Sequence, residues 1–360
     1  MAIEKAAFAF QFRGKPISCE PFGSGHINAT FKIDTDVGTS YVLQKINKYA
    51  FKDPEKVMAN ASAVTNYLNN RGSGTMRTLT YIQTVNGSYC HQDAQGEYWR
   101  MYEYIPGFCL DMPESDKDFY SSALAFGQFQ ELLTDFPAHT LYETIPNFHN
   151  TPDRYRLLRM AVAENAAGRL EEVREELAFL LEREELAGTL QRLLDCGELP
   201  LRVTHNDTKL NNVLLDPNTR KGICVLDLDT VMPGLSATDF GDAIRFGAAT
   251  ANEDEKDASK NHLDLHLFEV YTRGYLEAAQ QLTDKEVEML PMGALVITLE
   301  LASRFLKDYL DGDRYFKIAY PEHNLVRTRS QIALAADMEK KFPEMQRIVK
   351  EVRDSLCKSI

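Results

Sequence analysis

A histidine, an aspartate and an asparagine stand at a spacing that suits phosphoryl transfer. His205 is followed two residues later by Asp207, and Asn212 follows after four more residues. Transfer of a phosphoryl group to an alcohol needs a carboxylate at the attacking hydroxyl and an oxygen ligand for Mg²⁺, and one short loop delivers both to a cleft. The spacing predicts Asp207 as the base and Asn212 as a metal ligand, with His205 bracing the loop.

A further carboxylate follows where a second metal ligand is needed. After Asn212 the chain has an apolar stretch, a turn at 216–218 and a strand-like run at 223–229 that contains Asp227 and Asp229. ATP is highly anionic and the protein is acidic, so a divalent cation must bridge the phosphates and the carboxylates. We predict that Asp227 binds this metal, whereas Asp229 either joins it or only ends the strand.

Lys209 follows the predicted base by two residues. In that position an ammonium group could neutralise charge on the transferring phosphoryl group or contact the acceptor. The alternative is an ordinary surface lysine. We favour the functional role over this alternative.

A glycine-containing segment near the N-terminus lies between two strand-like runs. Glycine lets backbone amides approach phosphate oxygens closely, although a hairpin without a ligand would need the same residues. The position of this segment before the catalytic-loop pattern favours a nucleotide contact. The residues predicted to make it are Gly23, Ser24 and Gly25.

The run at 41–46 should supply a cation for the phosphates. Its alternation places Gln44 and Lys45 on opposite faces of a strand, so only one of them faces the cleft. If Leu43 and Lys45 face the cleft, Lys45 contacts phosphate, which is the assignment we predict. If Gln44 points inward, the positive charge comes from elsewhere, such as Lys209 and the metal.

The first hundred residues have the patterns of β-strands, with one helix among them. The strand-like runs cover 29–33, 41–46, 79–85 and 98–105, and the helix covers 54–68. From about residue 115 the apolar period becomes that of helices. The predicted helices span 116–134, 169–194, 264–282, 284–310 and 321–356.

A turn signal at 103–107 directly follows the last of these strands and suggests a hinge. We therefore predict an α+β, two-lobed, protein-kinase-like fold with a small strand-rich N-lobe and a large, mainly helical C-lobe. Residues 1–105 would form the nucleotide-binding lobe and residues 108–360 the catalytic lobe.

Composition limits the classes of partner. The chain has 360 residues and 44% hydrophobic residues, enough for two packed cores. Its formal net charge of −13 is not offset by any concentrated basic stripe. Most of such a surface repels a nucleic-acid duplex or an anionic membrane, so we expect neither as a partner.

The cysteines suggest a reducing compartment. They are scattered without a C-x-x-C pair, which argues against a zinc knuckle or a disulfide framework. The sequence also lacks a run of eighteen apolar residues and a basic segment followed by a long apolar core at its start. We expect a cytoplasmic protein that is neither exported nor membrane-spanning. The six cysteines are Cys19, Cys90, Cys109, Cys196, Cys224 and Cys357.

These motifs together resemble the aminoglycoside phosphotransferase and choline kinase superfamily. Within it, the chain is most similar to the N-acetylhexosamine 1-kinase group. The resemblance extends over nearly the whole chain, so it is far more specific than the catalytic spacing alone. The segments that carry it are GHINATF, LRVTHNDTKLNN, DLDTVMPG, DFGDAIRFGA, EDEKD, RFLKDYLDGD and YPEHNLVRTR.

The resemblance implies a reaction and a sugar site in the C-lobe. The reaction is transfer of the ATP γ-phosphate, with Mg²⁺, to the anomeric hydroxyl of N-acetylglucosamine or N-acetylgalactosamine. Asp207 would activate that hydroxyl, and Asn212 and Asp227 match the metal-binding positions. The positions that match residues around the sugar are Lys209, Thr230, Arg304, Tyr315 and His26.

The sugar assignments have structural alternatives. Arg304 offers a planar fork for hydroxyl and carbonyl oxygens, but it could instead pair with Asp308 or Asp313. Tyr315 could simply pack in the C-lobe core. An inward arginine favours a neutral acceptor over a cationic one such as choline or an aminoglycoside, whose site would need carboxylates or an aromatic cage.

A binding module that keeps the fold but lacks turnover is a further alternative. Such a protein usually lacks the base or a metal ligand. Here Asp207, Asn212 and Asp227 are all present, so the sequence favours an enzyme.

Overall fold

The N-terminal part of the protein is an antiparallel sheet with a helix on one side. A computed structural model describes residues 2–23, 27–72 and 76–358. The strands pair in the order β1-β2-β3-β5-β4. They are β1 (Pro16–Pro21), β2 (Ala29–Thr35), β3 (Ser40–Ile46), β4 (His91–Gln92) and β5 (Tyr98–Glu103), accompanied by helices α1 (Ala2–Ala7) and α2 (Pro54–Arg71).

The two faces of this sheet have different neighbours, because successive side chains of a strand point to opposite sides. One face packs around Phe10, which follows α1, and the other turns towards α2 and the C-terminal part through Ile46. On the Phe10 side, the apolar contacts of the sheet are made by Ile33, Tyr41, Leu43, Trp99 and Met101.

Helix α2 begins where the sequence predicts. The Asp53 side chain accepts the Lys56 backbone N–H at 3.2 Å, and Pro54 occupies the first turn, where it costs no helical hydrogen bond. The helix ends at Arg71, three residues beyond the predicted end. Its buried apolar side chains attach it to the core shared with the C-terminal part.

The strand predicted at 79–85 is wrong. That stretch makes only isolated bridges, in which Tyr81 pairs with Tyr102 and Thr84 pairs with Phe10. A ladder needs successive residues opposite one partner strand, whereas this stretch changes partner within three residues. Its apolar residues are therefore buried without forming a strand.

The C-terminal part is mainly helical, with two short two-stranded sheets at its junction with the first part. Strand β6 pairs with β9 and strand β7 with β8. The helices are α3 (Asp116–Leu132), α4 (Thr151–Glu164), α5 (Arg174–Leu181), α6 (Glu184–Ala187), α7 (Thr189–Asp195), α8 (Ser236–Gly247), α9 (Leu265–Ala278), α10 (Asp284–Leu310) and α11 (His323–Cys357); the strands are β6 (Arg202–Thr204), β7 (Val213–Leu215), β8 (Gly222–Val225) and β9 (Met232–Gly234).

The long helix predicted at 169–194 is broken into pieces. A 3-10 turn at Leu170–Val173 precedes α5, and Gly188 separates α6 from α7. Glycine is a poor helix former, and the short helices α5, α6 and α7 each contact α10 separately. The predicted lobe boundaries and the hinge at 103–107 stay predictions, although β5 does end at Glu103.

Helix α10 is the central element of the C-terminal part. It packs against α4, α8 and α11. By length and composition alone its 27 residues could cross a membrane, but 83% of its most apolar window is buried inside the protein. Its apolar character is accounted for by this burial, as in the core helix of a globular protein.

Helices α8 and α10 touch through two glycines. A Cβ atom added at Gly293 would lie 1.9 Å from the carbonyl oxygen of Ala237, and one at Gly241 would lie 2.4 Å from Gly293. Only hydrogen fits at either position. This close contact holds α8 against the central helix, and α8 supports the candidate site described below.

We expect Gly293→Ala to lower the free energy of unfolding by about 1–3 kcal/mol, since the backbone of α8 must move to admit the methyl group. Urea unfolding would measure this loss of stability, with the same m value expected for the variant and wild type. Gly188→Ala is the matched control, because its methyl group would meet the flexible end of Arg192 at 3.0 Å. Equal stability of the two variants would contradict the tight crossing.

A buried carboxylate fixes the start of α10. Glu286 accepts two hydrogen bonds from Arg202, at 2.7 and 2.9 Å, and completes a capping box with Thr283. Burial acts to raise the pKa of Glu286, but the bonds from Arg202 and Thr283 outweigh it and hold the pKa below the ordinary value of 4.5. Its ionised form therefore stabilises the folded state.

We expect Glu286→Gln to lower the free energy of unfolding at pH 7 by about 1–3 kcal/mol, because charge-assisted hydrogen bonds become neutral ones. The sign of the pKa shift means that the wild-type advantage exists above pH 4.5 and is lost as pH falls through the lowered pKa. Urea unfolding at several pH values would show that the stabilities of wild type and Glu286→Gln converge as the pH falls. Glu288→Gln, exposed on the same helix, should match wild type throughout.

Candidate active site

A carboxylate of α8 binds the backbone of the loop between β6 and β7. Asp239 accepts the backbone N–H groups of His205 and Asn206, at 2.7 and 2.8 Å. Asn206 has a φ of 65°, in the left-handed region, and its side chain donates to the Thr230 carbonyl at 2.8 Å. These bonds turn the chain sharply, so that the next side chain leaves the core.

His205 is fully buried beneath this turn. Its Nε2 donates to the Leu226 carbonyl at 2.7 Å, and its Nδ1 accepts the Asp207 backbone N–H at 3.3 Å. The edges of its ring pack on Phe126 and Phe129. Both ring nitrogens bond the backbone, so the side chain braces the loop and is not placed to take a proton from a substrate.

The Asp207 carboxylate lies between the ammonium group of Lys209 and the side-chain amide of Asn212. Its Oδ1 lies 3.0 Å from Lys209 Nζ, and its Oδ2 accepts a 3.0 Å hydrogen bond from Asn212 Nδ2. The carboxylate is about one-third exposed. Burial acts to raise the pKa of Asp207, but the charge of Lys209 outweighs it, and the pKa lies below the ordinary range. Asp207 is therefore ionised and able to accept a proton.

Asn212 and Asp227 face the same space from two sides. The Nδ2 of Asn212 donates to both the backbone and the side chain of Asp207, which leaves its Oδ1 for a metal. Asp227 follows β8 with a φ of 52° and is exposed. The surrounding protein and the charges of Asp229 and Asp207 raise the pKa of Asp227 to about 7. A divalent cation would relieve this repulsion.

Hard oxygen atoms are the ligands that Mg²⁺ prefers, and it commonly takes one or two from protein and the rest from phosphates and water. The pair Asn212 and Asp227 fits that role. Among the described residues there is no cluster of three or more His, Cys, Asp or Glu side chains that could hold a metal by themselves. The arrangement suits a metal brought with a nucleotide rather than a permanently bound ion.

Asp229 belongs to a buried group that joins the two parts of the protein. It forms an ion pair with Arg100 of β5, and both side chains are at most 3% exposed. Arg100 also donates to Gln44 of β3 at 2.8 Å, while Asn28 donates to the other Asp229 oxygen at 2.7 Å. Asp229 is thus neither a metal ligand in this arrangement nor a simple strand end.

The structure also places the residues predicted to contact the nucleotide. Gln44 bonds Arg100, the partner of Asp229, so Lys45 lies on the opposite face with Leu43, away from Asp229. Lys45 therefore does not point towards Asp229. The buried positive charge beside Asp229 belongs to Arg100 instead. Gly23 lies two residues beyond the end of β1 and has a φ of 78°, which favours glycine. The predicted residues Ser24, Gly25 and His26 lie outside the described part.

The predicted sugar-site residues divide into two groups. Thr230 lies under the catalytic loop, where its hydroxyl donates to the His205 carbonyl at 2.7 Å. Arg304 lies on α10, 3.6 Å from Glu300, and Tyr315 is 68% exposed nearby. The guanidinium of Arg304 also lies over the rings of Phe148, Tyr315 and Phe316.

The ion pairs suggested as alternatives for Arg304 are not formed. Asp308 instead accepts the backbone N–H groups of residues 314–316, and Asp313 pairs with Arg169 at 2.6 Å. His149 connects the surroundings of Arg304 to the catalytic loop. It bonds Glu300, the neighbour of Arg304, at 2.9 Å and lies 3.4 Å from the Asn206 carbonyl.

Several residues of the site could not be identified from the sequence motifs. Asn28, Arg100 and Asp239 contribute through contacts between distant parts of the chain, which spacing does not reveal. Arg100 did carry a signal, because it is the single charged residue in the middle of the aromatic run YWRMY. A charge at that position in a buried strand needs a partner.

Comparisons with known proteins concern the family and the fold of the chain. The model of a family described as "Phosphotransferase enzyme family" matches residues 18–276. The fold is kinase-like, and solved structures share it across nearly their whole length. An amicoumacin kinase in complex with AMP-PNP and Ca²⁺ has a TM-score of 0.59 at 13% identity, with 99% of this chain and 93% of that chain covered.

Two other structures illustrate the range of acceptors on this fold. A microcompartment-associated aminopropanol kinase has a TM-score of 0.63 at 15% identity, covering 95% of this chain and 97% of that chain. Choline kinase from Cryptosporidium parvum Iowa II has a TM-score of 0.56 at 14% identity, covering 94% and 93%. At such identities the likeness extends to the fold and not to the acceptor.

Proposed function

The chain belongs to the phosphotransferase enzyme family, and we propose that it transfers the γ-phosphate of ATP to the anomeric hydroxyl of an N-acetylhexosamine, N-acetylglucosamine or N-acetylgalactosamine. The observation that carries the phosphotransfer is the grouping of Asp207, Lys209, Asn212 and Asp227 at one opening. A base, a cation and two metal ligands are the parts that this chemistry requires.

In this proposal Asp207 accepts the proton of the acceptor hydroxyl as that oxygen bonds the γ-phosphorus, while the bond from the γ-phosphorus to the β–γ bridging oxygen breaks and ADP leaves. Lys209 keeps Asp207 ionised and places a positive charge beside the transferring group. Asn212 and Asp227 would hold Mg²⁺ together with the nucleotide, and the metal would neutralise phosphate charge. His205 and Asp239 hold the loop in place, so little reorganisation is needed during the reaction.

A neutral sugar acceptor is supported by the surroundings of Arg304. Its guanidinium is almost buried among three aromatic rings and retains donors for sugar hydroxyl and acetamido oxygens. A cationic acceptor would be repelled by an arginine in that place. The sequence resemblance to N-acetylhexosamine 1-kinases points to the same acceptor.

The proposal is tested by ATP consumption with Mg²⁺ against N-acetylhexosamines, free hexoses, choline and an aminoglycoside, with ³¹P NMR to locate the phosphate. We expect turnover with N-acetylhexosamines and an anomeric phosphate in the product. Turnover with a cationic alcohol alone would overturn the sugar assignment but keep the phosphotransferase. Phosphate at another sugar position would overturn the anomeric assignment.

A further inference from the structure

A buried carboxylate on α10 lies between the Arg304 guanidinium and the catalytic loop. Glu300 precedes Arg304 by one helical turn and is 1% exposed, and the cavity beside it, of about 10 Å³, has room for at most one water molecule. Its Oε1 lies 2.9 Å from His149 Nδ1 and 3.6 Å from Arg304, and its Oε2 accepts the Thr151 hydroxyl at 2.9 Å. Glu300 is thus closed to substrates, and any effect on the reaction passes through these neighbours.

The charge of Glu300 has one guanidinium partner. Burial acts to raise the pKa of Glu300, but the charge and hydrogen bond of His149 and the charge of Arg304 outweigh it, so the pKa lies below the ordinary value of 4.5. Arg154, another guanidinium nearby, donates instead to the Phe148 carbonyl at 2.7 and 3.2 Å. The ionised carboxylate therefore attracts Arg304, and this attraction limits where the guanidinium points its remaining donors.

The histidine beside Glu300 leads to the catalytic loop. His149 Nε2 lies 3.4 Å from the Asn206 carbonyl, on the peptide group that joins Asn206 to Asp207. The N–H of the same peptide group donates to His205 Nδ1 at 3.3 Å. Two histidines therefore hold the peptide that directly precedes the predicted base, one at its carbonyl and the other at its N–H.

We propose that Glu300 and His149 are positioning residues that join acceptor binding to the placement of the base. Glu300 orients Arg304 towards the acceptor. Through His149 it also holds the peptide that precedes Asp207. The inference rests on the proposed phosphotransfer at Asp207 and on the acceptor role of Arg304, but it concerns the arrangement of the site and not the identity of the acceptor.

Glu300→Gln tests the inference by removing the charge while keeping the shape of the side chain. We expect the acceptor KM to rise about tenfold and kcat to fall about tenfold, with the ATP KM within about twofold of wild type. Glu288→Gln, exposed on the same helix, is the matched control and should behave as wild type. Thermal unfolding checks that each variant is folded. Unchanged acceptor KM and kcat in Glu300→Gln would overturn the inference.

A double variant shows whether Glu300 acts on the acceptor through Arg304. Arg304→Met alone should raise the acceptor KM, and Glu300→Gln should add no further rise in that background. The kcat should still fall when Glu300→Gln is added, because the contact with His149 is weakened in both backgrounds. Increases in KM that simply multiply would mean that the two residues act independently, which would overturn the link to Arg304.

Three substitutions of His149 test the hold on the catalytic loop. His149→Gln keeps an N–H near the position of Nε2, His149→Asn keeps one near Nδ1, and His149→Phe keeps only a ring. We expect kcat within about threefold of wild type in His149→Gln and about tenfold lower in the other two, with the ATP KM unchanged within about twofold in all three. His139→Phe, at an exposed position, is the control. Equal kcat values in the three variants would overturn the bond to the loop.

An NMR measurement separates this inference from the proposed function, because it needs neither turnover nor an acceptor. Loss of a hydrogen bond moves a carbonyl ¹³C signal upfield. The Asn206 carbonyl signal of ¹³C,¹⁵N-labelled protein should therefore move upfield in His149→Phe and return towards its wild-type position in His149→Gln. A signal that does not move in His149→Phe would overturn the inference whichever acceptor the substrate panel identifies. The expected shifts in a protein that phosphorylates no sugar would support the inference and remove only the sugar assignment.

Discussion

Asp207→Asn is expected to lower the turnover number about 10²- to 10⁴-fold, because the amide cannot accept the proton of the attacking hydroxyl. The side chains have the same shape, and the surrounding loop is held by Asp239 and His205 rather than by Asp207. We therefore expect an unchanged fold and nearly unchanged nucleotide affinity. Steady-state kinetics, nucleotide calorimetry and thermal unfolding on one preparation would measure all three.

Asp195→Asn is a suitable control for this change, since Asp195 ends α7 at an exposed position. It should behave as wild type in every assay. A near-normal turnover number in Asp207→Asn would remove the base from the mechanism. Loss of nucleotide binding together with turnover would instead mean that the carboxylate acts mainly in the arrangement of the phosphates and metal.

The core of the candidate site could be predicted from the sequence because it is local. Asp207, Asn212 and Asp227 lie on one short stretch, and the turns between them are fixed by hydrogen bonds within that stretch and to α8. Spacing alone therefore places the three side chains together.

The residues from the N-terminal sheet could not be predicted in the same way. Whether Gln44 or Lys45 faces the cleft depends on the register of β3 with β5, in which Gln44 is opposite Arg100. A shift of one residue exchanges the two faces. The sequence of one strand leaves both choices open, and contacts with a distant strand decide between them.

The fold class was predicted correctly, whereas some helices were missed for a clear physical reason. Helix α8 has only 12 residues and includes Gly241 and Gly247, which are poor helix formers, so its helical pattern is short and weak. Helix α4 buries only four of its side chains, which are Thr151, Tyr155, Leu158 and Ala161, so its apolar stripe is weak. Tertiary packing, more than local pattern, defines both.

The second large effect is expected at the ion pair between the two parts of the protein. Arg100→Met should lower the free energy of unfolding by about 3–5 kcal/mol, because Asp229 would remain buried without a partner charge. Burial acts to lower the pKa of Arg100, but the charge of Asp229 outweighs it and raises it above the ordinary value. Urea unfolding at pH 7 would measure the loss.

Arg71→Met is the control for this change, since Arg71 forms its ion pair with the exposed Asp135. Such a pair contributes at most about 1 kcal/mol. A loss of that size in Arg100→Met would mean that the buried pair does not hold the two parts together. The double variant Arg100→Met, Asp229→Asn should recover part of the stability, since neither charge is then left alone.

The double variant also separates stability from function. Arg100 ties the N-terminal sheet to Asp229, two residues from the predicted metal ligand Asp227, while Asn28, which directly precedes β2, also donates to Asp229. We expect a stability-restored double variant still to show an ATP KM raised about tenfold, equivalent to ~1.4 kcal/mol, because Asp227 and the N-terminal sheet lose their common support. A wild-type KM would show that the ion pair serves folding alone.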